Sequence, residues 1–290
     1  MAAFDDISII YNPNSTGDSP RLARELHDAV SALGFDATLQ ETKRPGHAEE
    51  LAYNAATSST RPLVVSVSGD GGYHEVINGV LRAVDTKKAT PICAVLPGGN
   101  ANDHYSHVYD RPLLEAIQSG EPTKIDVLSV NTKQGRRYAH SYVGLGLTPL
   151  VAVELNKHDL SAVKEIWLAI RTFWKFRPFA IKLGGKEQTF DSIVLANIGI
   201  MAKHLTIDAD TDVTDGKFEL LCWPDAGKRR LMMRLFQAAF TKHSSVESIS
   251  RYKFETINPM PMQLDGEILK LGKSEMVDVR CLYRKLEVIK

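Results

Sequence analysis

This chain is short of cysteine, of net charge and of long apolar runs. Its three cysteines, Cys93, Cys222 and Cys281, are too few and too scattered for a disulfide framework or a Cys/His metal cage. Each lies in a short apolar run and reads as a reduced, buried thiol. Lysine plus arginine equals aspartate plus glutamate, 35 each, so no general basic field argues for nucleic acid and any anionic ligand has to be met locally. No apolar run approaches the ~18 uncharged residues of a membrane span. The start, Met1-Ala2-Ala3-Phe4-Asp5-Asp6, has no basic segment followed by an apolar one, so no signal peptide and a cytoplasmic location are expected. There is no GxxxxGK[ST] phosphate loop, no internal repeat and no low-complexity tract. Gly144-Leu145-Gly146-Leu147-Thr148-Pro149 lacks the third glycine of a dinucleotide fingerprint.

What is present is a regular alternation. Ile7 to Tyr11 reads as a buried strand, Asn12-Pro13-Asn14-Ser15-Thr16-Gly17 as the loop leaving it, and Ser19 as the cap of a helix with Pro20 in its first turn. Leu22, Leu26, Ala29, Val30 and Leu33 form the apolar face of that helix, and Gly34 stops it. Strands over 37–40, 63–67 and 91–96, with helices over 47–56, from Tyr73, and over 113–118, continue the pattern. Such alternation predicts a doubly wound parallel sheet over 1–123, with its ligand at the carboxyl ends of the strands. From Lys124 the character changes. Hairpin signals at 131–135, 184–186 and Asp215-Gly216, with helices over 148–176 and 228–242, predict a mainly antiparallel β domain with helical insertions over 124–290, its last strand free to rejoin the first domain.

Three loops leave predicted parallel strands, and all are rich in glycine and amide side chains. They are Asn12 to Gly17, Ser68-Gly69-Asp70-Gly71-Gly72, and Pro97-Gly98-Gly99-Asn100-Ala101-Asn102-Asp103. Loops of this kind converge on one crevice in a doubly wound sheet, and glycines let the backbone approach a phosphate chain while the new helix offers unpaired N–H groups. After the second loop, Val76, Ile77, Val80, Leu81 and Val84 make one apolar helix face and leave Glu75 and Asn78 on another. Glu75 can therefore face a ligand, or simply sit where an acid suits the positive end of a helix dipole. His74 reads as a hydrogen-bonded structural residue.

Together these loops resemble the diacylglycerol kinase catalytic-domain superfamily, which includes bacterial lipid kinases and sphingosine kinases. Ser68-Gly69-Asp70-Gly71, with His74-Glu75-Val76 and Asn78-Gly79, is similar to the sphingosine kinase version. The resemblance extends through Gly144-Leu145-Gly146, Thr214-Asp215-Gly216 and Leu264-Asp265-Gly266-Glu267. It implies ATP-binding by the first domain through Asn12, Asn14, Thr42, Ser68, Gly69, Gly71, Gly72, Glu75, Gly98, Gly99 and Asn100, and a lipid substrate for the second. It implies a catalytic set of Asp70, Asp265 and Glu267 that supplies the base and the Mg²⁺ shell, one group from each domain, with Asp70 favoured as base. By themselves Asp265 and Glu267 read as a hairpin turn with solvated charges. Asp215, with carbonyls of Asp212 and Lys217, matches a turn that holds a structural Mg²⁺ in bacterial lipid kinases.

Two departures bear on nucleotide affinity. Gly72 stands where the family usually has threonine, and Asn100-Ala101 where it has Thr-Gly, so a hydroxyl is lost and Ala101 is less at ease at positive φ. Val163 to Phe179, with Trp167, Phe173 and Trp174 at helical spacing among cations, reads equally as a lipid-lining or interfacial helix and as a core helix. Arg229, Arg230 and Arg234 form a second basic cluster. The expectation is an ATP- and Mg²⁺-dependent lipid kinase, with diacylglycerol or a related alcohol as acceptor and transient contact with the inner membrane surface; a homodimer is compatible with it. A sphingoid-base kinase, a kinase of a soluble acceptor like the NAD kinases, and a silent nucleotide- or lipid-binding protein are the alternatives.

Overall fold

The computed structural model describes residues 4–15, 17–147, 176–201, 205–208, 210–240 and 246–290. The chain forms two compact units, one of Met1–Val127, Val213–Asp215 and Leu282–Lys290, the other of Leu128–Asp212 and Gly216–Cys281. The first is built of β1 (Ile7–Tyr11), α1 (Ser19–Ala32), β2 (Ala37–Glu41), α2 (His47–Ala55), β3 (Leu63–Ser68), α3 (Asp70–Lys87), β4 (Ile92–Pro97), α4 (Asp103–Val108) and α5 (Leu113–Ser119). Its strands are parallel, β1 lying between β2 and β3, and β3 between β1 and β4. Every residue of β1 and β3 is buried, the pattern of parallel strands covered on both faces. Strand β2 is the edge, and Thr38, Leu39 and Glu41 are exposed there.

Helix α1 departs from the cap expected of it. Asp18 holds the cap position and Ser19 is already helical, because the Ser19 hydroxyl is turned to the Gly98 carbonyl at 3.2 Å. Ala23, Leu26 and Val30 face inward, and Leu33, just past the helix end, is exposed. In α3, Val76, Ile77, Val80 and Leu81 are fully buried. Full burial of side chains of this size is worth ~1.5–3 kcal/mol each. Gly79 lies on the α3 surface that meets α2, where an added Cβ would run into the Glu49 carbonyl and come within 2.9 Å of the Ala52 Cβ.

The second unit is antiparallel. Strand β5 (Pro122–Thr132) carries the chain into it, followed by β6 (Gly135–Ala139), β7 (Tyr142–Gly146), β8 (Phe179–Leu183), β9 (Lys186–Ala196), β10 (Ile200–Met201), β11 (Leu205–Thr206), β12 (Phe218–Pro224), α6 (Lys228–Phe240), β13 (Glu247–Ile249), β14 (Arg251–Thr256), β15 (Met260–Leu264), β16 (Glu267–Leu271) and β17 (Met276–Ile289). The sheet runs β16-β15-β7-β9-β8-β14-β17, with β12 also on β9. One face closes over a core that includes Leu145, Ile193, Phe218, Phe254, Met262 and Val277. Beyond residue 281, β17 belongs to the first unit, where Val288 lies parallel to Cys93 of β4.

Two expected hairpins form, with Thr132 opposite Gly135 and Leu183 opposite Lys186. Asp215-Gly216 is not a hairpin: β12 pairs with β13 and β9, and the chain reaches the turn from Val213, whose carbonyl accepts the Asp126 N–H at 2.7 Å. The helical segment expected over 148–176, and with it most of the aromatic stretch 163–179, lies outside the described residues. All three cysteines are free; burial drives the Cys93 thiol far above its ordinary range and Cys222 up to about 11. No helix among the described residues is long and apolar enough to cross a membrane.

Alanine normally gains ~1 kcal/mol over glycine within a helix. Gly79→Ala is expected to lose stability instead, by the ~1–3 kcal/mol of an overpacked contact, because backbone stands where the methyl would go. Urea denaturation of the two proteins measures the sign directly.

Candidate active site

Hydrogen bonds join the three glycine-rich loops of the first unit to one another. The Gly98 carbonyl accepts the Gly17 N–H at 3.0 Å and the Ser15 hydroxyl at 2.6 Å, which ties the loop after β1 to the loop after β4. The Gly98 N–H donates to the Ser68 carbonyl at 2.9 Å, which ties in the loop after β3. Asp70 then fixes the arrangement. Its Oδ2 accepts the Asp103 N–H and its Oδ1 the His104 N–H, each at 3.1 Å, so one carboxylate satisfies two orphan donors at the start of α4. Tyr73 and Tyr109 pack on the His104 ring, at centroid distances of 5.2 and 6.5 Å, and the Tyr109 hydroxyl accepts the Val95 N–H. Burial pushes both phenols far above their usual range.

Glu75 does a similar thing for another helix. Its Oε1 accepts the Gly46 N–H at 2.9 Å and its Oε2 the Ala48 N–H at 3.1 Å, at the start of α2. Thr42 follows β2, its N–H bonded to the Tyr11 carbonyl, next to Asn12 at the end of β1. Asn12 Oδ1 accepts the Asn14 N–H at 2.9 Å and shapes the first loop. His74 is buried, and its carbonyl accepts the Asn78 side-chain amide at 2.8 Å, the structural role read for it. Thus Asn12, Asn14, Thr42, Ser68, Gly69, Asp70, Gly71, Gly72, Glu75, Gly98, Gly99 and Asn100 all lie at or just beyond the carboxyl ends of β1 to β4. The first i→i−4 bond of α3 runs from the Tyr73 N–H to the Gly69 carbonyl, so the amides of Gly71 and Gly72 precede it and have no acceptor within the helix.

Both departures in these loops have a local cause. A Cβ on Gly72 would lie 2.5 Å from the Ser68 Oγ and 2.6 Å from its Cβ, so the serine occupies the room a threonine needs. The Ser68 hydroxyl itself bonds the Ser66 hydroxyl at 2.7 Å and the Gly69 carbonyl at 3.0 Å. In the third loop the left-handed backbone falls on Asn102, at φ +54°, and Ala101 is spared it. Asparagine tolerates that conformation, and here its side chain also closes the loop, Oδ1 accepting the Gly99 N–H and Nδ2 donating to the Gly99 carbonyl.

In the second unit Asp265-Gly266 forms a two-residue hairpin turn, both residues at positive φ, with Leu264 opposite Glu267. The hairpin is as expected, but the first of its charges is not solvated. Asp265 is only 1% exposed, and it accepts the N–H groups of His140, Ser141 and Tyr142 at 2.9, 2.9 and 3.0 Å. Asn197 donates to the His140 carbonyl, and the Ser141 hydroxyl lies 2.7 Å from His140 Nδ1. Hydroxyl, imidazole and carboxylate here line up like a nucleophilic relay, yet Ser141 and His140 are fully buried and serve the fold. Glu267, two residues on, is exposed.

Residues 6–130 match the model of the diacylglycerol kinase catalytic domain. The match spans the parallel sheet with its glycine-rich loops and ends in β5. Diacylglycerol kinases of Staphylococcus aureus strains bovine RF122 / ET3-1 and MRSA252 are each 25% identical to it over a 278-residue alignment that covers 89% of this chain and 85% of theirs. The crystal structure of a diacylglycerol kinase from Bacillus anthracis str. Sterne has the same fold, with a TM-score of 0.74 at 19% identity over 99% of this chain and 97% of that one.

Asp212, Asp215 and Lys217 all lie exposed on the turn before β12. No three His, Cys, Asp or Glu side chains among the described residues gather into a metal cage. One carboxylate, as Asp215 offers, completed by peptide carbonyls and water is of the donor type Mg²⁺ takes. Sequence reading missed Asn102, whose signal was its tolerance of positive φ beside two glycines, and the peptide groups of 103–104 and 140–142, which no side-chain motif announces.

Gly72→Thr should cost ~1–3 kcal/mol through the clash with Ser68. Adding Ser68→Ala should leave the loss in place, because the Cβ clash remains, whereas adding Ser68→Gly should relieve it; melting curves of the three variants distinguish these outcomes. Asp265→Ala leaves three amides without an acceptor at ~1–3 kcal/mol apiece, and is expected to unfold the second unit or nearly so. Asp265→Asn keeps one carbonyl and should lose less, as measured by denaturant titration.

Proposed function

We propose that this protein is a lipid kinase, which transfers the γ-phosphoryl group of ATP to the hydroxyl of diacylglycerol or a related long-chain alcohol. The observation that carries the reading is the mutual hydrogen bonding of three glycine- and amide-rich loops at the carboxyl ends of a parallel sheet, with the Gly71 and Gly72 amides open at a helix start. Phosphate oxygens accept from such donors, and the closely apposed glycines let the backbone reach them. Asn12, Asn14, Thr42 and Asn100 add amide and hydroxyl groups around the same strand ends. Mg²⁺, when bound with the nucleotide, neutralises charge building on the transferring phosphoryl group.

The acids divide by what their oxygens already do. Asp70 and Asp265 accept two and three backbone N–H groups respectively, and we assign them to positioning. Glu267 is the exposed carboxylate of its motif, and we assign it as the base, in place of Asp70. Glu267 takes the proton of the acceptor hydroxyl as that oxygen bonds to the γ-phosphorus, and the bond to the ADP oxygen breaks. Most of the rate then comes from holding the reactants and stabilising charge, with the base contributing ~10²–10⁴-fold.

Glu267→Gln should lose activity by about that 10²–10⁴-fold while nucleotide affinity and melting temperature stay at wild-type values. Transfer of labelled phosphate from ATP with Mg²⁺ to diacylglycerol, a sphingoid base or NAD measures it. Label entering NAD alone overturns the lipid assignment, and undiminished turnover in the variant overturns the role of Glu267.

A further inference from the structure

We propose that the first two turns of α6 are a docking surface for an anionic lipid bilayer. The segment reads Lys228-Arg229-Arg230-Leu231-Met232-Met233-Arg234. Leu231, 1% exposed, packs with Leu147, Phe176 and Trp223 and fixes the rotation of the helix. At ~100° per residue, Arg229 and Met233 then fall on the side away from that contact, with Arg230 and Met232 flanking them. The exposures agree: Met233 is 61% and Met232 46% accessible, and Arg229 and Arg230 are exposed. Arg229 and Arg230 enter no ion pair among the described residues, whereas Arg234 is tied down by its bond to the Pro224 carbonyl at 2.8 Å.

Two features argue for an anionic surface as the occupant. The chain as a whole is neutral, so a run of cations is a local arrangement and not the edge of a basic protein. The run also sits at the wrong end of its helix. The first turn of α6 has no acid, and its cations face the positive end of the macrodipole, an arrangement that a layer of external phosphates would relieve. Exposed methionines between those cations supply flexible apolar side chains for the boundary between headgroups and acyl chains, the composition of an interfacial helix. Start and orientation are rigidly held, because Asp225 Oδ1 accepts the Gly227 N–H and Asp191 Oδ2 the Ala226 N–H. A bilayer as partner rests on the lipid-acceptor reading, but binding is measured here without turnover.

The test is co-sedimentation of the full chain with phosphatidylcholine vesicles and with mixed phosphatidylcholine–phosphatidylglycerol vesicles, across salt concentration. Wild type should prefer the anionic vesicles and lose affinity as salt rises. R229Q/R230Q should weaken that binding on the order of tenfold and flatten its salt dependence. M232Q/M233Q should weaken it several-fold with the salt slope kept. Both double variants should melt as wild type does and turn over a monomeric short-chain lipid at the wild-type rate. Equal binding to both vesicle types, or wild-type vesicle binding by R229Q/R230Q, overturns the proposal. If wild type phosphorylates no lipid yet still binds anionic vesicles as described, the acceptor reading fails and the docking surface stands.

Discussion

A buried peptide N–H must have an acceptor, and at several places in this protein where the backbone leaves regular structure a carboxylate supplies it. Asp70 serves the start of α4, Glu75 the start of α2, and Asp265 the strand connection at 140–142. Glu275 does the same at a turn of the second unit, accepting the Lys133 and Gly272 N–H groups. A charged acceptor makes bonds worth roughly twice a neutral one, and withdrawing it leaves several donors unsatisfied at once. Each such acid therefore fixes a segment distant in sequence.

That constraint separates residues that a motif lists together. Gly-Asp-Gly and Asp-Gly-Glu both look like reactive acids among glycines, and phosphoryl transfer does need a carboxylate near the attacking hydroxyl. In the folded chain the first aspartate joins two loops and the second accepts three peptide N–H groups of a β connection, while the glutamate of the hairpin is exposed. The glycines answer the same demand for close backbone approach: Gly69 and Gly99 touch across two loops, and Gly72 makes room for Ser68.

Much of this was legible beforehand. Largely apolar runs such as Leu63 to Val67 suit strands covered on both faces, and the strand-helix alternation then makes the sheet parallel and places the loops that leave it on one rim. Hairpins at Lys133-Gln134 and Gly184-Gly185 followed from turn chemistry. Less legible were features in which one side chain serves a remote peptide. Ser19 looked like a helix cap and instead reaches Gly98; Asp265 looked solvated and is buried; Asp215-Gly216 had the turn composition of a hairpin but no strand to pair with beside it.

The sequence by itself determined the order of elements, the parallel and antiparallel halves, and the chemical character of the loops, because periodicity and glycine placement act over a few residues. Only the tertiary structure decided which acid holds the backbone and which is exposed, why Gly72 has no room for a larger residue and Ala101 is spared positive φ, and which side of α6 meets solvent. Those outcomes depend on distances between segments more than a hundred residues apart, 125 between His140 and Asp265 and 142 between Lys133 and Glu275, and no local pattern encodes such a separation.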